Sequence, residues 1–184
     1  MPFGQCHKKS LPLPAITPVV AGIAFSFLSV SCSGLSHVDY SEFDNFSPEG
    51  IPPGWVAEFN PYPHDSLLAG SNLYDVVVMV RYNGRCSSRE VIIDLEETSL
   101  DKMTPDSLRI SMPLFNQGGK SLGKGNLGLY ELTDTIRRGF HIPEGYTVAV
   151  TTPLSSEQTV GINAIGVKLV ESGRRSLLDI ERLK

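Results

Sequence analysis

The 184-residue sequence has few of the residues that mark an enzyme or a metal protein. It has four histidines and three cysteines, with no His-Glu-x-x-His pattern and no cysteine cluster, so we expect no dedicated metal site. The composition is otherwise that of an ordinary globular domain, with 41% hydrophobic and 20% charged residues. We therefore expect neither an enzyme nor a bound cofactor, and the length suggests one domain.

The beginning of the chain lacks acidic residues and also lacks an apolar run long enough for a membrane span. "MPFGQCHKKS" carries Lys8 and Lys9, and an apolar run follows from Val19 to Val30. A span needs about 20 apolar residues, whereas a basic flank before a shorter run is typical of an export signal. We predict a signal peptide over residues 1–31, and a short buried helix is the alternative.

The small Ser31 precedes Cys32 at the end of this leader, in "LSVSC". This arrangement resembles the lipobox of bacterial lipoproteins and makes Cys32 the predicted lipid attachment site, with a lipidated N-terminus and flexible tether over residues 32–53. The alternative is an ordinary secreted protein, in which Cys32 and Cys86 could form a disulfide.

The predicted mature chain is acidic. The leader holds two of the 16 basic residues and none of the 20 acidic ones, which leaves a net charge of −6. Such a charge disfavours electrostatic binding to nucleic acid or to an anionic membrane.

Short apolar runs bounded by turn residues follow the tether and predict strands. "WVAEF", "LYDVVVMVRY", "REVIIDLEE", "SLRISMPLF", "DTIRRGFHI", "YTVAVTT" and "INAIGVKLVE" are seven such runs. The turn at Asn83–Gly84 predicts a hairpin between the second and third runs, and Pro143–Glu144–Gly145 predicts another between the fifth and sixth. We predict an all-β fold, an antiparallel β-sandwich of the jelly-roll or immunoglobulin-like type, over residues 54–171, followed by a tail over 172–184.

The glycine-rich stretch "NQGGKSLGKGNLG" (residues 116–128) contains most of a phosphate-binding P-loop, Gly-x-x-x-x-Gly-Lys. Gly125 stands where that motif needs Ser or Thr, and the residues that follow are poor helix formers, so we reject nucleotide binding. We expect Gly123 and Gly125 to occupy close-packed or positive-φ positions and Lys124 to face solvent or a partner.

Four further groups of residues have ordinary interpretations. His64, Asp65 and Ser66 predict a polar loop rather than a catalytic triad, and the acidic Glu90, Asp94, Glu96 and Glu97 predict a solvated strand face. Trp55 is the candidate core anchor, although Trp55, Tyr62 and Tyr74 could instead form a sugar-stacking platform. Cys86 lies in a turn with no basic or histidine partner that would favour nucleophilic chemistry.

The order of these features resembles the gliding-motility lipoprotein family GldH of the Bacteroidetes. The matching segments are Gly54–Trp55, the strand that ends at Arg81, "GGKSLGKGNLGLYE", "FHIPEGYTVAV" and "VGINAIGVKLVE", over about residues 54–171. Ser121 stands where the family has a tryptophan. The resemblance makes the glycine run a family motif, with Gly118, Gly119, Lys120, Gly123, Lys124, Gly125 and Gly128 as a candidate structural or interaction loop.

The resemblance implies a non-enzymatic lipoprotein that is an accessory part of the envelope machinery for gliding and type IX secretion. Its expected partners are the membrane, through the N-terminal lipid, and other envelope proteins, with no nucleic acid and no nucleotide. Lipoproteins of the Bacteroidetes that are sent to the cell surface usually carry acidic residues just after the cysteine, whereas "SGLSH" after Cys32 has none. By this analogy we expect the periplasmic face of the outer membrane. The alternative function is a carbohydrate-binding lipoprotein of a glycan-uptake system.

Overall fold

The computed structural model describes residues 38–62 and 72–174, which form nine β-strands and one short helix. The elements are β1 (Val38–Asn45), β2 (Val56–Phe59), β3 (Asn72–Asn83), β4 (Glu90–Thr98), β5 (Asp106–Pro113), β6 (Lys124–Asn126), β7 (Leu129–Phe140), β8 (Thr147–Thr151), α1 (Ser156–Thr159) and β9 (Ile162–Arg174). No helix in these two ranges is long and apolar enough to cross a membrane.

The strands form two sheets in which all neighbours are antiparallel. The five-stranded sheet has the order β1-β9-β3-β7-β6, and the four-stranded sheet has the order β2-β8-β4-β5. Alternate residues of both sheets contribute to one hydrophobic core, as in a sandwich. The predicted all-β antiparallel sandwich is confirmed, while the predicted signal peptide lies outside the described residues.

The middle of the larger sheet is β3, as its apolar sequence predicts. It pairs with β9 on one side and with β7 on the other. Residues 76–80 are all buried, on both faces of the strand, which explains why this run does not alternate. Ile165, Val167 and Leu169 of β9 lie in the core, on the single face that the sequence predicts.

Both predicted hairpins are wrong. The chain passes from the larger sheet to the smaller one at Asn83–Gly84, so β4 pairs with β5 and β8 instead of β3. The turn at Pro143–Gly145 likewise carries the chain from β7 to β8 in the other sheet. The physical reason is that both edges of β3 are occupied by β7 and β9, which leaves no edge for β4.

The domain also begins earlier than predicted. Residues 38–45, which we assigned to the tether, form the edge strand β1, and Ile51 is buried in the core. The Ile51 amide donates to Thr159 Oγ1 over 2.8 Å, and Ser156 Oγ donates to the Ile51 carbonyl over 2.8 Å. The predicted tether over 32–53 was therefore too long, because its second half packs against α1. At the other end, β9 continues past residue 171 to Arg174.

Candidate interaction surface

The glycine run folds into a loop and an edge hairpin. Phe115 and Ser121 form a β-bridge, and the Asn116 side chain accepts a hydrogen bond from the Lys120 amide over 2.9 Å. Lys124 then begins β6, which pairs with β7 across a two-residue turn. A P-loop needs a helix directly after its lysine, and a strand occupies that position here.

Two glycines of this run lie against neighbouring backbone. A Cβ at Gly125 would come 2.1 Å from the Leu129 carbonyl oxygen, and one at Gly123 would come 2.9 Å from both the Glu131 carbonyl oxygen and the Tyr82 hydroxyl. The Gly123 amide donates to that hydroxyl over 2.9 Å, and the hydroxyl donates to the Leu114 carbonyl over 2.7 Å. The absence of side chains therefore lets β6 and the preceding loop lie close to the sheet.

Ser121 is part of the same contact. Its Oγ lies 2.7 Å from the Tyr82 hydroxyl and accepts a hydrogen bond from the Gly123 amide over 3.2 Å. The buried hydroxyl of Tyr82 thus has three polar neighbours, which satisfies it and fixes the loop against the larger sheet.

The turn of the hairpin is strained. Leu127 and Gly128 both have positive φ, at 52° and 82°, which is the pattern of a type I′ hairpin turn. Within residues 38–62 and 72–174, Leu127 is the only non-glycine residue with positive φ. A non-glycine residue in this conformation costs about 1–2 kcal/mol. The Leu127 side chain is also fully exposed, at 101%, so burial against the described residues does not offset that cost.

Leu127 belongs to a surface that we name the hairpin surface, which comprises residues 83–89 and 114–129. These two segments contain four basic residues and no acidic residue, on a chain whose overall charge is negative. They are in contact, because the Gly84 amide donates to the Gly128 carbonyl over 3.1 Å and the Leu114 amide donates to the Arg89 carbonyl over 2.8 Å. Glu90, Glu131 and Glu157 lie at its border. Glu131 pairs with Lys124 across β6 and β7, and Ser87 Oγ donates to the Glu157 carbonyl over 2.7 Å.

The hairpin surface combines exposed leucines with basic side chains. Leu122 and Leu129 are 46% and 52% exposed, and Leu127 is fully exposed. The four basic residues are Arg85, Arg89, Lys120 and Lys124, all exposed. Exposed apolar side chains with a polar rim are typical of an interaction site.

All of the sequence-predicted loop residues lie in this surface: Gly118, Gly119, Lys120, Gly123, Lys124, Gly125 and Gly128. The sequence analysis missed the three leucines and the two arginines. The available signal was the absence of acidic residues over both segments, which are separated along the chain and are brought together only by the fold.

The candidate core anchor Trp55 is half-buried against the core rather than fully enclosed. Its Nε1 donates to Asp44 Oδ2 over 2.6 Å, and its ring meets Phe46 edge-on at 5.0 Å. Tyr74 is 1% exposed and Tyr62 is 46% exposed. The three aromatics therefore do not form a shared platform, because Tyr74 points into the core.

The burial of Glu97 shows that the predicted solvated acidic strand face was wrong at this position. Glu90 and Glu96 are exposed and Asp94 is half-buried, but Glu97 is 3% exposed. It follows Val91, Ile93 and Leu95 at period two, which places its side chain on the inner face of β4.

The buried Glu97 carboxylate is held by a cation from the other sheet. Arg137 of β7 donates to Glu97 Oε2 through Nε at 2.9 Å and Nη2 at 2.5 Å, and the Tyr146 hydroxyl donates to Oε1. Burial, followed by the hydrogen bond to Glu97, raises the pKa of Tyr146 well above its usual value, and the same carboxylate raises the pKa of Arg137. These groups line a cleft of about 420 Å³. We interpret the network of hydrogen bonds and the ion pair as a link between the two sheets.

The remaining candidates show no assembled chemistry. Cys86 is half-buried and free, and burial raises the pKa of its thiol to about 11, which opposes nucleophilic reactivity. His141 is half-buried beside the Glu97 cleft. His37, His64, Asp65, Ser66 and the lipid-attachment candidate Cys32 lie outside the described residues. Within the described part, no group of three or more His, Cys, Asp or Glu side chains could hold a metal ion.

Comparisons with known proteins do not assign the chain to a family. No protein-family model and no curated protein matches it. Among solved structures, a match is "Structure of Eiger TNF from S. frugiperda", which is 12% identical, covers 74% of this chain and 94% of that chain, and has a TM-score of 0.33. A likeness this distant indicates no function.

Proposed function

We propose that this chain is a lipid-anchored, non-enzymatic envelope protein that works by protein–protein contact, as an accessory component of the gliding-motility and type IX secretion machinery. The proposal rests first on the resemblance to the GldH family. The observation that supports it best is the hairpin surface. The most specific segment of that resemblance, residues 118–131, contributes most of the loop, the strained turn and two of the four basic side chains of this surface.

The exposed leucines support contact with a partner in particular. A strained, fully exposed Leu127 costs stability and gains nothing within the described part of the chain. Backbone strain of this kind clusters at functional positions, and we propose that contacts with a partner offset it here.

The carbohydrate-binding alternative has less support. It required at least two exposed aromatic rings side by side, and Tyr74 is buried while Phe46 meets Trp55 edge-on.

The anchor is tested at Cys32. We expect mass spectrometry of the N-terminal peptide from native membranes to show an acylated cysteine, and Cys32→Ser to accumulate as a longer precursor without lipid. An unmodified Cys32, or one bridged to Cys86, would contradict the lipoprotein assignment. We expect the anchored protein on the periplasmic face of the outer membrane, where protease added to intact cells does not reach it.

Membership of the machinery needs a second measurement. A tagged native lipoprotein isolated from membranes is expected to bring other motility or secretion components with it, in amounts that exceed those recovered with an unrelated lipoprotein of the same membrane. Recovery of glycan-uptake components instead would favour the alternative.

A further inference from the structure

We infer that the hairpin surface binds a partner protein that offers an apolar pocket with an acidic rim, at the end of the larger sheet opposite Val38. This inference rests on the proposed function, because it names the kind of partner that the proposed accessory protein contacts.

The shape and charge of the surface define the partner. A β-hairpin tip with a fully exposed Leu127 protrudes, so its counterpart is concave. Leu129 on the same hairpin and Leu122 in the loop before it are also exposed apolar side chains. Lys120 and Lys124 flank these leucines with positive charge, and acidic groups on the partner would complement them.

The topology places this surface at the opposite end of the larger sheet from Val38. The predicted anchor Cys32 precedes the domain, which begins at β1 with Val38. Val38 pairs with Val170, and Val170 pairs with Asp75 near the start of β3. The hairpin turn instead adjoins Asn83 at the end of β3, where Asn83 pairs with Leu129.

The length of β3 sets the distance between Val38 and the hairpin turn. The distance along β3 from Asp75 to Asn83 is roughly 25 Å, at about 3.3 Å per residue. The exposed leucines therefore lie about that far from the point where the described chain enters the domain at Val38. Lysines and leucines together also suit an anionic membrane. We commit to a protein partner because the proposed function acts by protein–protein contact, and lipid adducts in the test below would overturn that choice.

The test is site-specific photo-cross-linking of the full chain in the cells that produce it. A genetically encoded diazirine amino acid replaces Leu127 in one variant and Met103 in the control. Met103 is equally exposed, at 104%, and lies between β4 and β5 at the opposite end of the sandwich. We expect position 127 to give a discrete protein adduct at least about 10-fold stronger than position 103, the order of a single interface hot spot.

The cross-linked peptide of the partner identifies its chemistry. We expect it to come from a segment with acidic and apolar residues. Reversing the charges with Lys120→Glu and Lys124→Glu, in a chain that carries the probe at position 127, is expected to reduce the adduct at least about 5-fold, because like charges then oppose docking. Phospholipid adducts at position 127, or equal protein adducts at 127 and 103, would overturn the inference.

A second variant separates binding from folding. Leu127→Asn gives an Asn-Gly turn, which suits the type I′ conformation, so its melting temperature is expected to equal or exceed that of the wild type. The amount of the partner, once identified by cross-linking, that is isolated with this variant from membranes is expected to fall about 10-fold relative to the wild type. Unchanged recovery with a stable fold would overturn the inference. An unlipidated Cys32 would instead overturn the proposed function, whatever position 127 contacts.

Discussion

Gly125→Ala is the most direct test of why the glycine run folds as it does. The new Cβ would lie 2.1 Å from the Leu129 carbonyl oxygen and 2.9 Å from Tyr130 Cα. Both atoms are backbone atoms of β7, so neither can rotate out of the way. The strain can be relieved only if β6 moves away from β7.

The cost of that movement is limited by what β6 contributes. The strand has three residues, paired with Leu129, Tyr130 and Glu131 of β7. The loss of two or three backbone hydrogen bonds costs about 0.5–1.5 kcal/mol each, which gives about 1–4.5 kcal/mol for the substitution. The melting temperature of a domain of this size would fall by about 3–14 °C.

The assay is urea unfolding of the purified chain, with Gly118→Ala as the matched control in the same loop. A Cβ at Gly118 meets only the Asn116 side chain, at 3.4 Å, so its free energy of unfolding is expected to stay within about 0.5 kcal/mol of the wild type. If the two variants have equal stability, close approach of β6 to β7 is not what requires glycine at position 125.

Three further outcomes are expected. Arg137→Met leaves the buried Glu97 carboxylate without its cation and is expected to destabilise the protein at pH 7, by only about 1–3 kcal/mol since Arg137 is partly exposed. Glu97→Gln in the same chain is expected to recover part of this loss in a double-mutant cycle measured by urea unfolding. Additive effects of the two substitutions would contradict the proposed link between the sheets. Because burial raises the pKa of Cys86 from 9.0 to about 11, we expect alkylation of its thiol at pH 7 to be about 100-fold slower in the folded chain than after unfolding. Equal alkylation rates, measured by mass spectrometry, would contradict the burial of Cys86. Lys124→Ala is expected to keep the melting temperature within about 1 °C of the wild type, because the Lys124 side chain is exposed. A saturable rise of the wild-type melting temperature with Mg-ATP that this substitution abolishes would contradict our rejection of the phosphate loop.

The strands and their buried faces could be predicted from the sequence, because alternation is a local property. Ile165, Val167 and Leu169 show it at period two and lie in the core. The partners of each strand could not be predicted in the same way. A turn signal such as Asn83–Gly84 indicates a reversal of the chain, and a reversal within one sheet has the same local sequence as a passage to the other sheet.

Other errors came from polar residues in unexpected places. The first strand, "VDYSEFDN", is an edge strand with several exposed positions, so its composition resembles that of a tether. Glu97 continues the inward series of Val91, Ile93 and Leu95, and its period alone predicts burial. Its charge argued for solvent because the compensating Arg137 is 40 residues away in the sequence.

The position of β9 has a consequence for the order in which this protein can fold. In the described part of the chain, β1 pairs only with β9, and β9 also fills one edge of β3. Strand β1 therefore cannot pair until β9 has formed, and the chain segment between these two strands spans most of the domain. Contacts this far apart in sequence slow folding. A nascent or truncated chain that stops before Ile162 lacks the strand that pairs with β1 and with one edge of β3, so we expect it to remain unfolded until β9 has been synthesised.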